Sequence, residues 1–234
     1  LIVGAGGAGL RAAVAAHEAG ADVAMVSKLH PVRSHTGAAE GGINAALKEE
    51  DDWRDHAYDT VKGSDYIGDQ DAIETMTEEA PKEVINLENM GMAFSRDDNG
   101  KVSQRAFGGL SFPRTTYASD KTGHMLLHTM YEQVMKRGVT VYDEWHVTNV
   151  VRDNGKCHGV VAYDIQTGNV EGFAAGATVF ATGGMGQVFE HTTNAVSCTG
   201  DGMSMAYRAG VPMEDMEFVQ FHPTTLPSTG ILIT

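Results

Sequence analysis

The run Gly4-Ala5-Gly6-Gly7-Ala8-Gly9 constrains the fold more than any other segment of this 234-residue chain. Glycines at 4, 6 and 9 follow the apolar stub Leu1-Ile2-Val3 and precede an Ala-rich, helix-prone stretch from Leu10 to Ala19. In such a loop the first glycine permits a tight turn, and the second lets backbone N–H groups approach a pyrophosphate. The third lets helix and strand pack closely, while the helix N-terminus meets the negative charge. Gly20 stops the helix, and Asp22 to Val26 reads as a second, parallel strand. The result is a βαβ unit, and a bound dinucleotide is its expected consequence. The alternative, a small-residue turn in an unrelated fold, leaves the flanking strand and helix unexplained. One part of the fingerprint is missing. An acid is expected near the end of the second strand to hold a ribose hydroxyl, and this chain has Ser27-Lys28 there. The adenosine must be held in another way, which disfavours a plain NAD site.

A second signature lies at Val179-Phe180-Ala181-Thr182-Gly183-Gly184, an apolar strand that ends in small residues and so brings backbone against a cofactor. Between the two signatures the periodicity predicts helices over 53–66, 71–90 (with Pro81 early in a helical turn) and 120–137. A polar turn is expected at 97–100, and residues 105–118 are expected to be extended or looped. Strands follow over 140–142, 147–152, 157–164 and 170–180, with Asn154-Gly155 and Thr167-Gly168 as hairpin turns. A last helix is expected over 201–209. A return to the first sheet after a β-rich excursion is the habit of FAD proteins. The expected fold is therefore α/β, a Rossmann-like FAD-binding domain with a parallel sheet and an inserted antiparallel β segment, spanning 1–234 as one domain. Asp201, in Thr199-Gly-Asp-Gly202, is either a helix N-cap or a partner for ribityl hydroxyls, and both roles are compatible.

Composition narrows the function further. Thirty-one acidic against 17 basic residues give a net charge of −14, which opposes direct binding to nucleic acid or anionic lipid. The acids are dispersed, as on a solvated surface, and adaptation to high salt is the sharper alternative. No apolar run approaches the roughly 20 residues of a membrane span. Cys157 and Cys198 are too far apart for a CxxC site, so iron–sulfur clusters, if any, belong to another chain. His124 and His128 have zinc-site spacing, but no glutamate stands beside His124 and no third ligand is evident, so no metal is expected. The 12 methionines read as core filler.

Several motifs lie in order along nearly the whole chain. They are Arg33-Ser-His-Thr36, Ala39-Glu-Gly-Gly42, Phe107-Gly-Gly109, Asp120-Lys-Thr-Gly123, Thr199-Gly-Asp-Gly202 and Glu217-Phe-Val-Gln-Phe-His-Pro-Thr224. With the glycine loop and Ser27-Lys28, they resemble the flavoprotein subunits of succinate dehydrogenase and fumarate reductase. The resemblance implies that His35 bonds covalently to the flavin 8α carbon. It also implies that Phe107, His222 and Thr234 contact a dicarboxylate, succinate or fumarate. Related aspartate oxidases share the glycines but lack the histidine. The expected cofactor contacts are Gly4, Ala5, Gly6, Gly7, Ala8, Gly9, Ser27, Lys28, Ser34, His35, Thr36, Ala39, Gly41, Gly42, Val147, Ala181, Thr182, Gly183, Gly184 and Asp201. In the family the proton-transfer arginine and a mobile capping domain come later than the position of Thr234. The capping domain is therefore expected to be absent here, and no catalytic residue is expected within the chain. The implied partners are an iron–sulfur subunit and membrane anchor subunits. They imply a peripheral place on the cytoplasmic side of the cell membrane, with electrons passing to quinone. Glu40, where the family has Gln or Glu, leans weakly toward the reductases.

Overall fold

The computed structural model describes residues 1–220, 225–226 and 231–232. In chain order the elements are β1 (Ile2–Val3), α1 (Gly7–Glu18), β2 (Ala24–Ser27), β3 (Ile43–Asn44), α2 (Trp53–Gly63) and α3 (Gln70–Asn89). They continue with β4 (Gln104–Arg105), β5 (Thr115–Thr116), α4 (Thr122–Lys136), β6 (Thr140–Asp143), β7 (Trp145–Asp153), β8 (Lys156–Asp164) and β9 (Val170–Ala174). Last come β10 (Val179–Phe180), α5 (Asp201–Arg208), β11 (Thr225–Leu226) and β12 (Ile231–Leu232). Two compact units result, the first made of residues 1–36 and 130–234 and the second of 37–129.

The first unit is built on a four-stranded sheet in the order β10-β1-β2-β6 with every pairing parallel. Parallel strands need crossovers, and α1 supplies the one between β1 and β2. Its face Leu10, Ala13 and Val14 is fully buried, at the spacing one helical face requires. Gly20 ends it at φ +84, with Gly20 N–H donating to His17 O and Ala21 N–H to Ala16 O, the two bonds of a glycine-terminated helix. The antiparallel insertion is the three-stranded sheet β7-β8-β9. At its first hairpin Asn154 and Gly155 both have positive φ, as the tight turn demands. The core of this unit joins Val3 and Val26 of the parallel sheet to Val147, Val160 and Ala162 of the insertion and Met205 of α5. Each such apolar side chain contributes about 1.5–3 kcal/mol by burial, Ala162 less.

Two expectations about elements fail here. The strand expected over 170–180 breaks at Gly176, so that β9 pairs antiparallel with β8 while β10 joins β1 in the parallel sheet. One continuous strand cannot serve two sheets of different direction. The first strand expected in the excursion, β6, belongs to the parallel sheet beside β2 and not to the insertion.

The second unit holds the helices α2 and α3 and a small antiparallel sheet ordered β3-β5-β4. Asp52 and Asp69 cap α2 and α3 by accepting from Arg54 N–H and Ala72 N–H. Pro81 lies inside α3, within the helix expected over 71–90. Met92 is buried here, but Met76 is exposed, and in the first unit Met135 and Met216 are exposed as well. Only part of the methionine set is core filler.

Candidate functional site: a dinucleotide cradle

In the first unit, β1 has β2 on one side and β10 on the other, so the strand order reverses between β1 and β10, beside Gly4 and Ala181. Such a switch point is where open α/β sheets bind ligands. Gly4 has φ +102, and a Cβ there would lie 2.2 Å from Ala181 O. A Cβ on Gly9 would lie 2.0 Å from Gly4 O, so the turn closes onto the first residues of α1 without room for a side chain. Gly4 N–H donates to Val26 O at 2.8 Å and Ala181 N–H to Val3 O at 2.8 Å, which ties the loop to both neighbouring strands.

Helix α1 has no side-chain N-cap on Gly6, and no acid in its first turn. Thr36 Oγ1 instead accepts from Gly7 N–H at 3.0 Å, reaching in from the Ser34-His35-Thr36 segment. A Cβ on Gly6 would meet Thr36 Oγ1 at 3.3 Å and Ser34 Oγ at 3.5 Å. Ser34 Oγ is buried with no hydrogen-bond partner among the described residues. A buried hydroxyl left unpaired is costly, by about 1–3 kcal/mol, and is what a missing polar ligand leaves behind. Together with the side-chain-free cradle at Gly4, Gly6 and Gly9, it fits the phosphates of a dinucleotide.

His35 begins a short 3-10 turn, His35–Ala38. Its Nδ1 accepts from Ala195 N–H at 3.2 Å, which leaves Nε2 for any other bond.

Where an acid is missing at the end of β2, Lys28 pairs with an acid from another part of the chain. Lys28 Nζ donates to Asp201 Oδ2 and to Thr199 Oγ1, both at 2.6 Å, and Thr199 Oγ1 donates to Asp201 Oδ2 at 2.7 Å. Burial works against ionisation of Asp201, but the bonds from Lys28 and Thr199 outweigh it and hold the carboxyl below its ordinary pKa. Asp201 is not the N-cap of α5. Gly200 takes that position at φ +75, and Asp201 opens the helix. Among the other expected contacts, Ser27 and Val147 are buried, and Thr182 packs where a Cβ on Gly202 would collide with it. Gly183 has φ +73, and Gly184 O accepts from Gly200 N–H at 3.3 Å. Gly4 to Gly9, Ser27, Lys28, Ser34 to Thr36, Val147, Ala181 to Gly184 and Asp201 thus all belong to the first unit.

The remaining expected contacts belong to the second unit. Ala39 O accepts from Gly123 N–H at 2.7 Å. Gly42 has φ +130, and a Cβ there would lie 2.3 Å from Thr116 O. Phe107, 40% exposed, rests on Gly41, where a Cβ would meet its ring at 3.0 Å. Arg105 donates to Gly41 O at 2.6 Å and stacks on Tyr117. The rings of His124 and His128 lie 4.2 Å apart, and no group of metal ligands occurs among the described residues. His222 and Thr234 lie outside the described residues.

Sequence reasoning missed Ala195, Thr199 and the pairing of Lys28, because their partners are 160 or more residues away along the chain. It also missed a buried charged cluster in the second unit. There Arg114 is fully buried and paired with Asp51 and Asp59.

The family described as FAD binding domain matches residues 1–234. The chain belongs to that family. Among curated proteins it is 52% identical to a mitochondrial succinate dehydrogenase flavoprotein subunit of Xenopus laevis, covering 100% of this chain and 37% of that one. It is 51% identical to a fumarate reductase flavoprotein subunit of Mycobacterium tuberculosis, with 100% and 41% covered. Among solved structures, an E. coli quinol fumarate reductase flavoprotein superposes with a TM-score of 0.97 at 45% identity, with 100% and 40% covered. The chain thus spans about two fifths of the length of these relatives. The α/β fold, the FAD-binding assignment and the resemblance to flavoprotein subunits of this kind are all borne out.

Proposed function

We propose that this chain is the FAD-bearing part of a flavoprotein that interconverts succinate and fumarate, with the cofactor joined covalently to His35. The observation that carries the reading is the hydrogen bond from Ala195 N–H to His35 Nδ1. An imidazole alkylated at Nε2 keeps an acceptor at Nδ1, so this bond suits a histidine whose Nε2 is taken by the flavin. The flavin supplies the hydride chemistry, and the protein binds, orients and tunes it. Thr36 fixes the first turn of α1 and Ser34 Oγ offers a hydrogen bond to the cofactor, while Asp201, held by Lys28, is the proposed partner for the ribityl hydroxyls. The remaining expected contacts complete the cofactor set, and Phe107, His222 and Thr234 are the proposed dicarboxylate contacts. An iron–sulfur subunit and membrane anchor subunits complete the assembly, with electrons exchanged with quinone at the cytoplasmic side of the cell membrane. No helix among the described residues is long and apolar enough to cross a membrane. Attachment through the partner subunits is part of the proposal.

Dye-linked assays on the full-length flavoprotein test the reading. Succinate-dependent dye reduction and fumarate-dependent oxidation of reduced dye are both expected, and the ratio of their rates reports the favoured direction. Absence of both, in protein that retains its flavin, overturns the dicarboxylate assignment.

A further inference from the structure

The loop that carries Phe107 is long and poorly tied to itself. It joins β4 to β5 through residues 106–114, and those two strands are hydrogen-bonded neighbours. Within it only Leu110 N–H to Phe107 O, at 3.4 Å, and Arg114 N–H to Phe112 O, at 2.8 Å, link backbone to backbone. With Gly108 and Gly109 in its middle, such a loop is free to sample many conformations.

Its far side is instead fixed by buried charge. Asp59, on α2, accepts at one carboxylate oxygen from both Ser111 N–H and Ser111 Oγ–H at 2.8 Å, and from the Arg114 guanidinium. Arg114 also forms a two-pronged pair with Asp51, Nε to Oδ2 at 3.0 Å and Nη2 to Oδ1 at 2.7 Å. The side chains of Arg114, Asp51 and Asp59 are 0%, 1% and 6% exposed. His56 is buried beside them, and burial and then Arg114 push its pKa down, so it adds no second cation. The near side of the loop is held by Arg105 on the carbonyl groups of Glu40 and Gly41.

Burying two carboxylates and a guanidinium costs desolvation that the attraction barely offsets, and apolar side chains of similar volume would stabilise as well or better. Such a cluster is suited to fixing geometry. The side-chain hydrogen bonds of Asp59 fall on one end of the Phe107 loop, and the ring at the other end packs on Gly41.

We propose that Asp59 is a positioning residue: through Ser111 and Arg114 it fixes the loop that presents Phe107 to the dicarboxylate. This rests on the reading that Phe107 touches substrate. Neither Asp59 nor Ser111 touches the reacting atoms in this proposal, so their effect falls on substrate affinity.

The test uses the full-length flavoprotein, with Ser111→Ala and Asp59→Asn measured beside Phe107→Leu. Four quantities are read: KM for succinate, kcat per covalently bound flavin, the malonate-induced change in flavin absorbance, and amide exchange across residues 106–113. Loss of one loop-fixing hydrogen bond in Ser111→Ala raises KM and the malonate Kd roughly three- to tenfold, with kcat per flavin nearly unchanged. Asp59→Asn does so more strongly, and both speed exchange of the Ser111 amide. Ser111→Thr, which keeps the hydroxyl, returns KM toward the wild-type value. A merely structural role would lower Tm and flavin yield but leave KM and malonate affinity per flavin unmoved, and that result overturns the proposal. If Asp59→Asn fails to fold, Ser111→Ala decides alone. Should Phe107→Leu raise KM while Ser111→Ala does not, only the positioning role fails. Should Phe107→Leu leave KM unmoved, the substrate contact fails and the positioning proposal with it.

Discussion

Replacing Gly4 by alanine isolates the close approach on which the cradle depends. The perturbation adds one methyl group at a backbone of φ +102, placing it 2.2 Å from the Ala181 carbonyl oxygen. Positive φ costs an L-residue about 1–2 kcal/mol. The collision is with backbone, so it is relieved only by pushing β10 away from β1. That strains Ala181 N–H to Val3 O at 2.8 Å and Val179 N–H to Leu1 O at 2.9 Å. With each of these bonds contributing about 1 kcal/mol, the whole effect is about 3–4 kcal/mol. Gly20→Ala is the matched control. Gly20 has φ +84 but nothing within 4 Å of its would-be Cβ, so only the backbone term applies, at about 1 kcal/mol. Both variants are compared with wild type by urea unfolding of the flavin-free protein, so that cofactor binding does not enter. Trp145 packs against the core of the first unit, and its fluorescence reports that unit. Gly4→Ala is expected to cost about 2 kcal/mol more than Gly20→Ala. Equal costs would refute the close approach of β1 and β10 at the glycine loop.

Other expectations follow from the charged groups. In a His35→Ala background, where the flavin is free to dissociate, Asp201→Asn weakens FAD binding about tenfold by removing a charged acceptor, as isothermal titration would show. Unchanged affinity would remove Asp201 from the cofactor contacts. Arg114→Met leaves Asp51 and Asp59 buried without a cation and lowers stability by about 3–5 kcal/mol in chemical unfolding. Stability falls as the solution is acidified, in two stages. His56 has its pKa held below the ordinary 6.5, chiefly by burial, so its contribution is complete above that value and is lost as pH falls below it. At Asp59 burial opposes ionisation, but bonds from Ser111 and Arg114 hold the pKa below the ordinary 3.8. Its contribution is therefore present above that value and is lost at lower pH still. Thermal unfolding from pH 7 downward measures both stages, and a Tm that rises on acidification contradicts them.

The fold was legible where local chemistry decides it. Three glycines at fixed spacing between a strand and a helix specify the cradle, and Asn154-Gly155 specifies its hairpin, because both depend on neighbours in sequence. The break between β9 and β10 was not legible, since residues 170–180 are mostly apolar, with Glu171 and Thr178 the polar exceptions, and the pairing partners distinguish the two strands. The absence of an acid after β2 was visible at Ser27-Lys28, but the carboxylate that pairs with Lys28 was not. Lys28 finds Asp201 only once β2 and the start of α5 are brought together by the fold. Arg114 carried no signal of its own. An arginine between Pro113 and Thr115 reads as a loop cation, and its complete burial requires Asp51 and Asp59, 63 and 55 residues away along the chain.

The covalent bond proposed between His35 and the flavin can be tested on the denatured chain. The full-length protein and His35→Ala are precipitated in acid, run on a denaturing gel and viewed for flavin fluorescence, with intact mass recorded on the same samples. A fluorescent band and a mass gain of one FAD are expected in the wild-type chain, and neither in His35→Ala, whose flavin goes to the supernatant. Flavin found free in the wild-type supernatant, or retained by the His35→Ala chain, would contradict it.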